Sequence, residues 1–359
     1  MTVEISWFGA LCDDDYEFLG QPDPRLRTSY EHNRNIVLTA DRFGYDNILL
    51  PSGYELGIET LAFAGALAPQ VRHMHLLTAV RMGEMWVPQL ARQLATLDEV
   101  LDGRLTVNII SSDIPGEKLA SEPRYQRTLE WMQVLRLLLD GEAVEYHGEF
   151  LDLELDAPRI TRESPRPAPP FYFGGFSDAA KDVAAKEADV FLTWPDTVAG
   201  VAGTIDEMRG RAAAHGRELV YGLRAHVIVR ETEAEAKAAA RRLVSKLDDG
   251  QGAAIRAKSL DAVSKGVSRQ SELREGSDDE GYVEENLWTG VGRARSGAGA
   301  ALVGDPDQIV AKIEAYKEVG VEAFIFSGYP HAAEADLFAR HVLDRVDHAP
   351  LRPRWTRSA

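Results

Sequence analysis

The sequence predicts a (β/α)8 barrel, the TIM-barrel fold, for this chain of 359 residues. Short apolar runs rich in β-branched residues alternate with amphipathic helical patterns, which is typical of parallel βαβ units. The chain carries eight such units. That number favours a closed barrel over an open doubly wound sheet, because open sheets more often stop near six strands.

The alternation predicts eight strands and helices between them. The strands are predicted at 3–9, 46–50, 73–79, 104–110, 170–174, 188–193, 219–227 and 321–327. The helical patterns between them lie at 28–43, 86–101, 124–140, 177–186, 200–215, 232–247 and 305–319.

Two segments interrupt this alternation. Residues 142–165 contain VEYHGEFLDLEL, which predicts a β-hairpin between the fourth and fifth units. Residues 248–300 form a longer insertion of weak predicted structure, rich in glycine, serine and charge. Such segments inside compact domains are usually functional or disordered, and we interpret this one as a mobile lid. The single barrel domain then spans 1–348, and 349–359 is predicted to be a frayed tail.

The composition limits the kinds of molecule that the protein is expected to bind. The net charge of −17 argues against nucleic acid and against an anionic membrane surface. An anionic small substrate remains open, because a few arginines in a pocket can outweigh the net field. Neither a signal peptide nor a long apolar span is evident, so we expect a soluble, cytoplasmic protein. Cys12 is the only cysteine, which excludes an intrachain disulfide and a CxxC site.

The GGFSDAAK stretch after the fifth strand is a candidate phosphate site, because barrel active sites gather at the carboxyl ends of strands. Gly174 and Gly175 allow a close backbone approach, and Ser177 can cap a helix whose free N–H groups attract a phosphate. Tyr125 could add a phenol. An ordinary glycine turn with an N-cap, and a tyrosine that only packs, are the alternatives.

Arg224 and His226 lie two residues apart on the seventh strand and therefore point to the same side. Leu223, Ala225 and Val227 suit the helix-facing side, which leaves the arginine and histidine pointing into the barrel mouth. A structural ion pair would explain the buried charge only if an acid lay nearby, and the strand offers none at matching spacing.

Other polar residues follow neighbouring strands. SGYPH after the eighth strand supplies Ser327, Tyr329 and His331, and Trp194 follows the sixth. Arg81 follows the third strand, and Ser111 and Ser112 follow the fourth. The chain has no HExxH, no acidic cluster with metal spacing, no GxSxG and no phosphate-binding P-loop, so metal chemistry and serine hydrolysis are disfavoured.

Several ordered motifs resemble a known family. They are ADRFGYDNILLPSG, QLATLDEVLDGRLTVNIISSD, PPFYFGGFSDAAKDVAAKEADVFLTW, GLRAHVIVRET, NLWTGVGRARSGAGAALVGDP and FIFSGYPH. In these, the chain resembles the bacterial luciferase-like flavin monooxygenases, and among them the FMNH2-dependent alkanesulfonate monooxygenases. The resemblance extends from the first strand to about residue 345.

The resemblance implies site residues in three groups. The catalytic residues would be Arg224, His226, Tyr329 and Arg295. The substrate-binding residues would be Trp194, His331, Arg224, Arg295 and Tyr54. The FMN-binding residues would be Gly175, Phe176, Ser177, Tyr125, Ser111, Ser112 and Thr78, and the insertion would close over flavin and substrate.

The activity that the resemblance implies is a desulfonation that consumes reduced FMN and O2 and releases sulfite and a carbonyl product. Guanidinium groups of Arg224 and Arg295 suit a sulfonate, His226 suits proton transfer near neutral pH, and Tyr329 can donate to a developing oxyanion. FMNH2 would come from a separate NAD(P)H-dependent FMN reductase, and the chain would form a homodimer or homotetramer.

One stretch departs from the family pattern. The alkanesulfonate enzymes carry Gly-Arg-Ser-Cys after the second strand, whereas this chain has SGYELGIE, with Ile58 where the thiol would be. A changed pocket wall leaves open a sugar sulfonate such as sulfoquinovose, or another sulfonate or sulfone. The alternative is a loop that faces solvent or a subunit interface and leaves specificity unchanged. Two alternative functions also remain: an F420-dependent hydride-transferring oxidoreductase of the same barrel superfamily, and a non-catalytic flavin-binding relative.

Overall fold

A computed structural model describes residues 1–53, 57–114, 116–117, 119–158, 167–257, 264–295 and 297–351. The strands within these residues are β1 (Glu4–Phe8), β2 (Asn47–Leu50), β3 (His75–Arg81), β4 (Leu105–Ile110), β5 (Val144–His147), β6 (Asp152–Leu155), β7 (Phe171–Gly174), β8 (Val190–Thr193), β9 (Val220–Val229), β10 (Tyr282–Glu284), β11 (Leu287–Trp288), β12 (Ala301–Gly304) and β13 (Ala323–Ser327).

The helices surround the strands. They are α1 (Tyr30–Phe43), α2 (Thr60–Leu67), α3 (Val87–Val100), α4 (Ser121–Asp140), α5 (Asp178–Glu187), α6 (Val198–Ala213), α7 (Glu233–Leu243), α8 (Asp249–Ala257), α9 (Lys265–Glu275), α10 (Pro306–Glu318) and α11 (His331–His341). Among the helices just named, none is long and apolar enough to cross a membrane.

Eight parallel strands close into a barrel, as the sequence predicts. The order is β1–β2–β3–β4–β7–β8–β9–β13, and β13 pairs again with β1. Each of these strands coincides with one of the eight predicted runs, because each is an apolar, β-branched segment buried on both faces. The carboxyl ends of all eight strands therefore meet at one mouth.

Strand β9 is the longest strand of the barrel and positions two of the predicted site residues. Leu223, Ala225 and Val227 belong to the apolar layer between barrel and helices, as predicted. Arg224 pairs in register with Ile325 in the barrel interior, and the next inward residue, His226, pairs with Ser327. The alternation of β9 thus places the guanidinium and the imidazole inside the mouth.

The structure contains both predicted insertions, but the second has more regular secondary structure than the sequence predicts. β5 and β6 form the predicted hairpin, and residues 159–166 of that segment lie outside the described residues. The prediction of weak structure for 248–300 is wrong for most of the described part. This part contains α8, α9, β10 and β11. β11 pairs with β12, which directly follows the insertion and continues the parallel pairing along β9. Small residues such as Ala300 and Ala301 make that close packing possible, which a composition rich in glycine and alanine conceals.

Candidate active site

Arg224 is buried inside the mouth, and its hydrogen bonds go to neutral groups. Its Nη1 donates to the carbonyl of Ala225 at 2.7 Å and its Nη2 to Ser327 Oγ at 2.9 Å. The guanidinium carbon lies 4.3 Å from the ring centroid of Phe8, a cation–π contact. Burial first, and the nearby Arg295 second, lower the pKa of Arg224 to about 9. Within the described residues no carboxylate comes within ion-pair distance of this guanidinium.

His226 lies beside Arg224 and shares its serine partner. His226 Nδ1 is 2.8 Å from Ser327 Oγ, and the imidazole stacks on Tyr329 with 5.1 Å between ring centroids. Its buried Nε2 has no hydrogen-bond partner within the part of the chain that the structure describes. Burial, and then the positive charges of Arg224 and Arg295, hold the pKa of His226 well below its ordinary value.

Arg295 comes from the insertion and is anchored at the mouth by an acid. Its Nη1 lies 2.6 Å from Asp14 Oδ2 and donates to the hydroxyl of Tyr329 at 2.7 Å. Burial opposes the charge of Arg295, but Tyr329 and Asp14 outweigh it and raise the pKa of this guanidinium. The pKa of Tyr329 is also raised, because burial outweighs the effect of Arg295, so the phenol stays protonated.

His331, the first residue of α11, is fully buried and bonded to a second acid of the same loop. Asp15 Oδ1 accepts the backbone N–H of His331 at 3.0 Å and lies 3.0 Å from its Nδ1. Asp15 Oδ2 lies 2.9 Å from His32 Nε2 on α1. Burial acts to raise the pKa of Asp15, but His331 and the hydrogen bond from His32 outweigh burial and lower it.

The predicted phosphate site is assembled at the start of α5. Ser177 caps this helix by accepting from Ala180 N at 3.2 Å. The first N–H groups of any helix have no intrahelical partner, so those after Ser177 can bind an anion. A Cβ at Gly175 would collide with Ala180 Cβ and lie 3.5 Å from Tyr125 Oη, which places the phenol directly over this turn.

The remaining predicted flavin-binding residues divide between two faces of the sheet. Ser112 accepts from Arg81 Nε at 2.8 Å, and Ser111 accepts from Thr128 Oγ1 at 2.8 Å, both just beyond β4. Thr78 lies between Leu77 and Ala79, which face the barrel interior. Its own side chain therefore faces the helices, and its hydroxyl donates to the Thr106 carbonyl at 3.4 Å. The structure does not bring Thr78 to the mouth.

Trp194 and Phe176 form an aromatic wall where the insertion meets the barrel. Their ring centroids are 5.6 Å apart. A Cβ at Gly266 of α9 would lie 2.7 Å from Trp194 and 2.8 Å from Phe176, so the glycine allows the helix to approach this closely. Arg269 of the same helix pairs with Asp196 at 2.7 Å. The insertion is thus docked against the loops after β7 and β8.

The sequence did not indicate that the loop after β1 contributes residues to the site. Asp14 and Asp15 belong to the run CDDDY, and a run of acids ordinarily indicates a solvated turn. Their partners lie 281 and 316 residues away in the chain, so no local spacing could reveal them. The predicted substrate residue Tyr54, and with it Glu55 and Leu56, lies outside the described residues. Ile58 packs against the main apolar core.

Comparison with known proteins agrees with this geometry. The model of the luciferase-like monooxygenase family matches residues 17–323. A sulfoquinovose monooxygenase from Novosphingobium aromaticivorans is 61% identical over 357 residues, 98% of each chain. A sulfoquinovose monooxygenase from Agrobacterium fabrum is 47% identical over 355 residues, which cover 98% of this chain and 91% of the relative.

Solved structures share the fold at low sequence identity. An EDTA monooxygenase from Chelativorans sp. BNC1 superimposes with a TM-score of 0.76 at 16% identity, over 95% of this chain and 92% of that one. At this identity the likeness shows the (β/α)8 barrel alone.

Proposed function

Because the chain belongs to the luciferase-like monooxygenase family, we propose that it oxygenates an organosulfonate, with sulfoquinovose as the substrate, and releases sulfite and a carbonyl product. The monooxygenase activity would require FMNH2 and O2. A separate NAD(P)H-dependent reductase would supply the FMNH2. We further propose a cytoplasmic homodimer or homotetramer.

The observation that carries the proposal is the buried guanidinium of Arg224. A buried charge is costly unless a partner neutralises it, and this one has only neutral partners among the described residues. Arg295, although paired with Asp14, adds a second guanidinium, whose carbon lies 5.5 Å from the centroid of the Phe8 ring. A fixed anion such as a sulfonate would supply the missing negative charge. The two relatives named sulfoquinovose monooxygenase support the identity of that anion.

The residues at the start of α5 fit the phosphate of FMN. The free N–H groups of the first helical turn, the Ser177 hydroxyl and the Tyr125 phenol would hold it. The nearest acid in that turn, Asp178, is held by Arg211 at 2.7 Å and Lys265 at 3.4 Å, which limits its repulsion of a phosphate. When bound and reduced, the flavin would supply the activation of dioxygen.

The other residues of the mouth would bind and orient the substrate. Arg224 and Arg295 would hold the sulfonate, and the phenol of Tyr329, kept protonated by burial, would donate to an oxyanion. Trp194 and Phe176, covered by α9, would exclude water from the reacting carbon. Tyr54 remains our proposal for a contact to sugar hydroxyls.

The test is sulfite release by the purified chain with sulfoquinovose, FMN, NADH and an FMN reductase in air. The proposal predicts sulfite only when sulfoquinovose, O2 and the reducing system are all present. Reduced F420 under argon tests the hydride-transfer alternative. Substrate-dependent consumption of reduced F420 without sulfite would overturn the proposal. Flavin binding with no turnover of any sulfonate would instead support a non-catalytic relative.

A further inference from the structure

Two histidines present an unpartnered nitrogen at the barrel mouth, and their surroundings differ. Nε2 of His226 and Nε2 of His331 are both buried without a hydrogen-bond partner in the described parts of the chain. The other ring nitrogen of His226 meets a serine hydroxyl, whereas that of His331 meets the carboxylate of Asp15. A histidine that must gain a proton is stabilised by a carboxylate and destabilised by guanidinium groups.

We propose that His331 is the histidine that takes up a proton during the reaction, and that Asp15, held in place by His32, is the positioning residue that makes it a base. This gives His226, our sequence-based candidate for proton transfer, the part of a neutral hydrogen-bond donor. The inference rests on the proposed function for the identity of the proton.

Asp15 selects one tautomer of His331. An ionised carboxylate can only accept hydrogen bonds, so the 3.0 Å contact between Asp15 Oδ1 and His331 Nδ1 requires the proton on Nδ1. The same oxygen accepts the backbone N–H of His331, which fixes the carboxylate relative to the ring. Nε2 of neutral His331 is then an acceptor, and it is the atom left without a partner.

The ring of His331 is held on both sides and at its backbone. Phe8 stacks on one side with 6.0 Å between centroids, and Tyr329 meets it edge-on at 5.1 Å. Trp7 Nε1 donates to the His331 carbonyl at 3.1 Å. These contacts restrict rotation of the ring, so that Nε2 of the tautomer selected by Asp15 is held in one direction.

His32 completes the arrangement on the outer side. It occupies the second carboxylate oxygen of Asp15 at 2.9 Å, and its side chain is 13% exposed. The titratable groups that face His331 are thus Asp15 from the β1 loop, with His32 of α1 behind it, Tyr329 from the β13 turn and His226 from β9. Of these, only Asp15 carries a negative charge.

The charged groups near His226 are positive, whereas the charged group beside His331 is the carboxylate of Asp15. Arg224 and Arg295 oppose a positive charge on it, and burial adds to their effect. Ser327 Oγ already accepts from Arg224, which leaves the serine proton free for His226 Nδ1 at 2.8 Å. In that arrangement His226 Nε2 carries the hydrogen and donates. The mouth then holds one imidazole donor and one imidazole acceptor.

The proton has a defined source in the proposed reaction. Oxygenation places a hydroxyl on the carbon that bears the sulfonate. The O–H bond of that hydroxyl breaks, its electron pair forms the carbonyl, and the C–S bond breaks with its pair leaving on sulfite. The proton passes to His331 Nε2. This elimination needs no further oxidant or reductant.

The tautomers can be read directly in the protein without flavin or substrate. Long-range 1H–15N correlation spectra of uniformly labelled protein distinguish the two neutral tautomers, and the variants His331→Asn and His226→Asn assign the signals. We expect the Nδ1–H form for His331 and the Nε2–H form for His226. In Asp15→Asn the fraction of the Nδ1–H form of His331 should fall, because an amide can also donate to Nδ1. An Nε2–H tautomer in the wild type, or an unchanged tautomer ratio in that variant, would overturn the inference.

The pH dependence of sulfite release provides the second test. A base must be deprotonated to act, so kcat/KM rises with pH through its pKa, and Asp15→Asn should move this acid limb to lower pH and lower its plateau. Asp13→Asn is the matched control, because Asp13 lies in the same loop and accepts from Thr28 N, a hydrogen bond that an asparagine oxygen can replace. Asp13→Asn should keep the wild-type profile.

The two proposals fail in distinguishable ways. If wild-type protein releases no sulfite while His331 shows the Nδ1–H tautomer, the proposed function fails and the positioning by Asp15 stands. If wild-type protein releases sulfite and Asp15→Asn keeps the wild-type acid limb, the inference about His331 fails alone. Circular dichroism melting of each variant excludes unfolding as the cause of a lost rate.

Discussion

Asp14 and Arg295 form an ion pair at the barrel mouth, with Asp14 Oδ2 2.6 Å from Arg295 Nη1. The two residues are 281 positions apart, and they join the loop after β1 to the insertion. This pair cancels one positive charge, whereas Arg224 has no carboxylate within ion-pair distance among the described residues. The two arginines therefore differ in how far their charges are neutralised.

Substitution of the arginines tests this difference. Arg224→Met should lower kcat/KM for the sulfonate on the order of 10- to 100-fold or more, because a charge-assisted contact contributes roughly 1.5–3 kcal/mol. Arg295→Met should also lower it, partly because Asp14 is left unpaired and repels the anion. Asp14→Asn should then restore part of the activity of Arg295→Met. Steady-state kinetics decide, and a double variant no better than Arg295→Met would contradict the pairing.

The phosphate site predicts a preference among flavins. Riboflavin should bind much more weakly than FMN, and Ser177→Ala and Tyr125→Phe should each weaken FMN binding while leaving riboflavin binding unchanged. Thr232→Ala is the matched control, since it removes the N-cap of α7, which packs against β9 and β12 rather than β7. Fluorescence titration measures the affinities. Equal affinity for riboflavin and FMN would refute the placement.

The insertion should respond to ligands. We predict that 250–290 is cleaved by trypsin in the free protein and protected by FMN with substrate, because α9 packs against Trp194 and Phe176 beside both proposed sites. Arg269→Ala removes the ion pair with Asp196 and should accelerate cleavage. A parallel digestion with riboflavin in place of FMN shows how much of the protection depends on the phosphate. Equal cleavage with and without ligands would count against a lid.

A buried acid in the barrel interior predicts how stability depends on pH. Burial raises the pKa of Glu4 to about 7, and the side chain accepts hydrogen bonds from Tyr172 and Ser6. The folded state therefore favours the protonated form, and stability should fall as the pH rises from the unfolded pKa near 4.5 through 7. Glu4→Gln should melt higher than the wild type at pH 8, with a smaller difference at pH 5.

The change in Tm expected for Glu4→Gln depends on the length of the chain. A gain of 1 kcal/mol corresponds to roughly 2–4 °C in Tm for domains of this order of size. Glu31→Gln, an exposed substitution on α1, is the control and should leave the pH dependence of Tm unchanged. A wild-type Tm that rises from pH 5 to pH 8 in parallel with Glu4→Gln would contradict a protonated Glu4.

The barrel was predictable because its information is local. Each strand is a short apolar run, and the alternation in β9 alone assigned Arg224 and His226 to the interior. Outside the insertion, two helices were not among the predicted patterns: α2, which is apolar over most of its surface, and α11, which begins at His331 directly after the strand turn. Neither shows a clear amphipathic pattern preceded by a capping side chain such as Ser or Thr.

The site was less predictable because its contacts are distant in the chain. Asp15 meets His331 only after the barrel has closed, so the spacing of CDDDY carries no sign of it. Thr78 was placed near the flavin by resemblance, yet its position between Leu77 and Ala79 turns it to the helices. For the insertion, polar helices such as α9 are stabilised by packing on Trp194 rather than by an apolar stripe of their own.

We propose that the chain desulfonates a sugar sulfonate. Comparing the rates of sulfite release from several sulfonates tests this proposal. The measurement is kcat/KM for sulfite release from methanesulfonate, the linear alkanesulfonates up to octanesulfonate, and sulfoquinovose, with FMN and a flavin reductase in air. A site built for hydroxyls rejects analogues that lack them, because its own polar groups are left unpaired. We expect the highest kcat/KM with sulfoquinovose. Fastest turnover on a linear alkanesulfonate of two to eight carbons would contradict it.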